Sequence, residues 1–158
     1  MISYTPIGFV HSPFQQTVGM PIQAVAARGV PGRIELAPEY HAGLQDIEAF
    51  EYLILLYHLH RIEGASLTVT PFLDHQPHGI FATRSPKRPN PIGLSIVRLV
   101  QVEGLTLHIE DVDVLDGTPL LDIKPYVPDF DVRETNRIGW FAKNVGEVKN
   151  VRADDRFQ

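Results

Sequence analysis

Thirteen prolines and twelve glycines are spread along 158 residues so evenly that the longest uninterrupted apolar run is Tyr52 to Tyr57. Each proline fixes φ and removes a backbone donor, and each glycine offers a cheap turn. A chain punctuated this often is confined to short strands joined by tight turns, which excludes a long-helix bundle and a bilayer-spanning helix. Hydrophobic residues make up 44% and charged ones 21%, an ordinary globular balance, and a chain of this length can bury roughly 70% of its unfolded surface. One soluble domain over residues 1–158 is expected.

The strands themselves are read from short apolar runs, two-residue alternation and turn signals. Ile7 to Val10 reads as a first strand. Glu51 to His60, apolar almost throughout, reads as a strand buried on both faces. Ser66 to Pro71 puts Leu67 and Val69 on one face, and Gly79 to Thr83 is β-like. Ile92 to Val102 and Leu105 to Glu110 read as a hairpin across Glu103-Gly104, and Asp116-Gly117 marks a turn before Leu120 to Tyr126. Helical signal is thin: a turn or two at Pro38 to Leu44 and a short helix near Ile138 to Asn144. The fold class expected is mainly β, a small barrel or sandwich with short helical segments.

Several chemistries are missing. No GxGxxG follows a strand, no GxxxxGK[ST] occurs and GxSxG is absent, so no Rossmann site, P-loop or nucleophile elbow is indicated. Cysteine is absent, which removes disulfides, thiolate zinc sites and iron–sulfur clusters. Polar Ser3, Thr5 and Pro6 follow Met1 at once, so no secretion signal and a cytoplasmic location are expected.

Charge is distributed unevenly. Net charge is -5, yet residues 75–98 hold Arg84, Lys87, Arg88 and Arg98 and no acidic side chain. Pro86, Pro89 and Pro91 stiffen the loop that carries the first three together with Ser85 and Asn90, and a rigid loop presenting cations suits a phosphate or carboxylate. His58 and His60 lie two apart, and His75 and His78 three apart beside Asp74. Those spacings are compatible with an N/O metal site, but strand-face histidines are more often partly buried packing residues, and no metal is expected. Glu110, Asp111, Asp113 and Asp116 form an acidic strand end that is either solvated or turned toward a nucleoside ligand.

The strings GIFATRSPKRPNPIGLS at 79–95 and DGTPLLDIKPY at 116–126 resemble the TrmO (TsaA-like, YaeB-like) family of S-adenosylmethionine-dependent tRNA N6-methyltransferases. Similarity extends to Ile7 through Phe14 and Leu44 through His60, covering about residues 5–130. The resemblance implies a small non-Rossmann β-barrel working as a homodimer, with S-adenosylmethionine as methyl donor and the tRNA anticodon loop as partner. The implied reaction is methyl transfer to N6 of threonylcarbamoyladenosine at position 37.

By motif position, the family's donor-binding Pro-Arg-Gln falls on Pro21, Ile22 and Gln23, isoleucine standing where the family has arginine. Its polar pair falls on His60 and Arg61, its arginine on Arg84, its hydrophobic residue on Leu94, and its acidic strand end on Glu110, Asp111, Val112 and Asp113. Longer members carry an additional C-terminal domain beyond the matched region. Lys87 and Arg88 are expected to meet RNA phosphates and Asn90 a purine edge. An amide-substituted N6 is a weak nucleophile that must shed a proton, for which Asp113, Asp116 and His60 all qualify. Two other readings stay open: methylation of a different nucleoside or small molecule, and a non-catalytic donor-binding barrel.

Overall fold

The computed structural model describes residues 1–157. Six strands close into a barrel: β1 (Gly8–His11), β2 (Gly32–Leu36), β3 (Tyr52–His58), β6 (Ile92–Glu103), β7 (Thr106–Glu110) and β8 (Thr118–Pro125), in the order β1-β2-β7-β6-β3-β8. Every neighbouring pair is antiparallel, so closure leaves the short strands no free edge. A separate pair, β4 (Thr68–Val69) and β5 (His78–Gly79), lies outside the barrel.

Alternation explains the core. Leu53, Leu55 and Tyr57 of β3, Val97 and Leu99 of β6, Leu107 and Ile109 of β7, Val10, Ile34 and Leu120 all point inward and are buried together. Full burial of one such side chain contributes about 1.5–3 kcal/mol. The expectation that β3 is buried on both faces is corrected: its residues alternate between buried and half-buried, because a closed barrel has one interior and its outer face is only partly covered. β6 follows the same phase, with Ile92, Leu94, Ile96 and Val100 facing out at 43, 48, 37 and 50% exposure.

Two elements differ from the alternation reading. β2 carries only two inward apolar residues, Ile34 and Leu36, alternating with the charged Arg33 and Glu35, and its strand character comes from pairing with β1 and β7. Of the stretch Gly79 to Thr83 only Gly79 belongs to a strand: after β5 the chain makes one 3₁₀ turn over Ile80–Ala82. Ile80 turns in against Val69 and Phe157, while Phe81 is left exposed. The expected turns of helix are both 3₁₀, Pro38–Leu44 and Gly139–Lys143. No helix among the described residues is long and apolar enough to cross a membrane.

After β8 the chain makes a single helical turn, α1 (Pro128–Asp131), and then returns over the barrel end near residues 19–21. Ala153 exchanges backbone bonds with Gly19 (2.7 Å) and Met20 (2.9 Å), and Arg152 bridges Pro21. Phe157 then packs edge-on against Phe72, 5.1 Å between ring centres.

Candidate functional site

At this end of the barrel lies a cavity of about 1130 Å³, above the roughly 300–1000 Å³ usual for one small ligand. Segments far apart in sequence build its wall: Pro21, Ile22 and Gln23 before the first 3₁₀ turn, His60 and Arg61 past β3, Arg84 and Arg88 of the proline loop, Leu94 and Ser95 of β6, and Asp111 and Asp113 past β7. The returning C-terminal segment adds Trp140 and Phe141.

Most residues assigned by resemblance therefore meet on one surface. Arg84 Nη1 donates to Gln23 Oε1 at 3.1 Å, tying two of them together across the cavity mouth. Glu110 and Val112 do not line the wall. Val112 is fully buried in the barrel core, and Glu110 accepts from Arg98 Nη1 at 2.9 Å. Past the end of β7 the backbone turns at Asp111, whose φ is 68°, and Asp111 and Asp113 reach the cavity while Glu110 and Val112 do not.

The basic loop divides in the same way. Arg88, expected to meet RNA phosphates, places Nη1 on the carbonyls of Ile80 (3.2 Å), Thr83 (2.8 Å) and Ser85 (3.3 Å). Its guanidinium thus holds the 80–85 turn in shape from within. Lys87 is half-buried and Asn90 exposed, and neither lines the cavity.

Electrostatics separate the three candidate proton acceptors. Asp116 accepts from the Ser12 N–H and His11 Nδ1, both at 3.1 Å, at the turn before β8, and does not line the cavity. Burial, with the neighbouring Arg61 and His58, pushes His60 below its ordinary value. Burial raises the Asp113 carboxyl from 3.8 to about 6, although the Ser95 hydroxyl donates to it. Of the paired histidines, His78 donates to or accepts from Asp74 at 2.7 Å and stacks on Trp140, with ring centres 4.7 Å apart. Among the described residues no three His, Asp or Glu side chains converge as a metal site would require.

Tyr57, Ser95, Trp140 and Phe141 line the cavity without having been singled out from the sequence. For Tyr57 and Ser95 a signal existed: each is a hydroxyl-bearing residue in the inward phase of an otherwise apolar strand. The C-terminal aromatics carried none, since only folding back brings them to the cavity.

Residues 9–132 match the model of the tRNA-methyltransferase O N-terminal domain. A protein of Pyrococcus abyssi, named a probable S-adenosyl-L-methionine-binding protein, is 57% identical over 99% of this chain and 85% of its own length. A tRNA (adenine(37)-N6)-methyltransferase of Mus musculus is 36% identical over 80% of this chain and 31% of its own. The crystal structure of TrmO from Pseudomonas aeruginosa superimposes with a TM-score of 0.75 at 36% identity, covering 89% of this chain. The match spans 62% of that solved chain. With a matching domain model, a shared barrel and identity at this level, the chain belongs to the TrmO family.

Proposed function

We propose that the protein is an S-adenosylmethionine-dependent methyltransferase that modifies N6 of adenosine 37 in tRNA, with threonylcarbamoyladenosine as the base it accepts. The observation that carries this reading is the convergence of the donor-binding positions of the family, from Pro21 to Asp113, on one cavity with room beyond a single ligand. Arg84 suits the donor's carboxylate, and the apolar wall at Leu94 suits its uncharged parts. Position 37 lies in a single-stranded loop, so its base can leave the stack and enter. The reading places the protein in the cytoplasm with its RNA. Incubation with donor and tRNA should add one methyl to adenosine 37, read by mass in digested nucleosides. Equal methylation of unmodified and threonylcarbamoylated tRNA would overturn the finer substrate assignment, and donor binding without turnover would favour a sensing barrel.

The same reading includes a homodimer. Ile92, Leu94 and Ile96 form an exposed apolar stripe along the outer face of β6 and line the cavity, with Val100 beyond the exposed Arg98. A second copy seated on this stripe would cover apolar surface and close the cavity's open side in one contact. Light scattering at micromolar concentration should give about twice 17.7 kDa; a monomer mass sinks the dimer.

A further inference from the structure

At the floor of the cavity three oxygens from three separate segments form a chain. Tyr57 Oη lies 2.8 Å from Ser95 Oγ, and Ser95 Oγ lies 2.5 Å from Asp113 Oδ1. Ser95 is 2% exposed and Tyr57 is buried, while Asp113 is half-buried, and all three line the cavity. A serine hydroxyl has one proton. Ser95 donates it to Asp113, so Tyr57 must donate to Ser95. If Asp113 gains a proton, every bond can reverse: Asp113 donates to Ser95, Ser95 to Tyr57, and the tyrosine proton turns away. The chain therefore accommodates the carboxyl both ionised and neutral without stranding the serine between them, as a group that takes up a proton during turnover requires.

We infer that Asp113 is the proton acceptor of the methyl transfer, with Ser95 and Tyr57 as the positioning residues that hold it ready. The inference rests on the proposed function. The N6–CH₃ bond forms as the S–CH₃ bond breaks, the sulfonium leaves as a neutral thioether, and the N6 proton passes to the Asp113 carboxylate. One positive and one negative charge vanish together, which is favourable in a cavity that solvates neither well. Tyr57 from β3 is the titratable group facing the carboxylate, and the charged or titratable Asp111, His60, Arg28, Arg61, Arg84 and Arg88, with Lys149 and Asp154 of the returning C-terminal segment, line the same cavity. His60, whose lowered basicity favours the neutral ring, is the competing acceptor.

The test uses the full chain with donor and acceptor tRNA. At saturating donor, Asp113→Asn should lower kcat by about 100-fold or more. Wild-type activity should fall as pH drops through about 6, since a base must be ionised to act. Ser95→Ala removes the donor that keeps the carboxyl acidic and should move this acid limb up by about one pH unit. Tyr57→Phe keeps the ring and should move it the same way by less, a change that loss of packing alone would not produce. His60→Gln should leave the acid limb in place. Asp113→Asn turning over near the wild-type rate, or loss of the acid limb in His60→Gln alone, overturns the relay while leaving the methyltransferase standing. A wild-type protein that methylates no tRNA overturns both.

Discussion

Replacing Gly93 by alanine should be among the costliest additions of a single methyl group to this protein. Gly93 of β6 pairs directly with Tyr57 of β3, and the tyrosine ring lies flat across the space where a side chain would stand. A Cβ there would sit 2.5 Å from Tyr57 Cζ and 2.8 Å from Cδ2. The ring is buried in the barrel core and cannot swing aside. Overpacking of this kind costs about 1–3 kcal/mol and occasionally more, and two rigid backbones flanking an aromatic ring place this case at the upper end. Against a total stability of about 5–15 kcal/mol, a large drop in urea midpoint should follow. Displacing the ring also pulls Tyr57 Oη from Ser95, so any folded Gly93→Ala protein should show the shifted acid limb of Tyr57→Phe. Adding Tyr57→Leu to Gly93→Ala should restore part of the lost stability, because the obstructing ring is gone. Wild-type stability in Gly93→Ala would show that the strands separate easily here.

The second large effect has the opposite sign. A buried carboxyl raised from 3.8 to about 6 favours its neutral form in the folded protein. Below about pH 4 Asp113 is protonated whether the chain is folded or not, and nothing is lost. As pH rises toward 6 the unfolded chain sheds this proton while the folded one holds it, and stability declines. Above 6 the whole cost is present, about 3 kcal/mol for the two pH units between the two values. Asparagine is neutral throughout and keeps an oxygen for Ser95 to donate to. Asp113→Asn should therefore be more stable than wild type at pH 8, by up to about 3 kcal/mol, with the gain vanishing near pH 4. Urea unfolding at the two pH values decides it, and a gain equal at both would mean that packing rather than ionisation is responsible. A residue that destabilises the resting protein at working pH is what a proton-accepting site demands.

Local pattern was sufficient for much of the barrel. β3 announces itself by its apolar run, and β6, β7 and β8 by apolar patterning and by turn chemistry at Glu103-Gly104 and Asp116-Gly117, where Gly104 and Gly117 both adopt positive φ. These features are set by residues one to four positions apart. The strings at 79–95 and 116–126 likewise carried the family, and with it most of the positions that meet in the cavity. β2 escaped because two apolar residues in five are too few to establish a period, and its partners lie elsewhere in the chain. The fate of the cations could not be read from charge: Arg84 reaches across to Gln23, whereas Arg88, four residues on, turns inward to three carbonyls. Tyr57, Ser95 and Asp113 are separated by 38 and 18 residues, and no spacing rule joins them. What brings the three together is barrel closure, which places β3 beside β6 and seals their inward hydroxyls away from water. Burial then creates both the hydrogen-bond chain and the raised carboxyl, properties that belong to surroundings supplied by distant segments and not to the residues themselves.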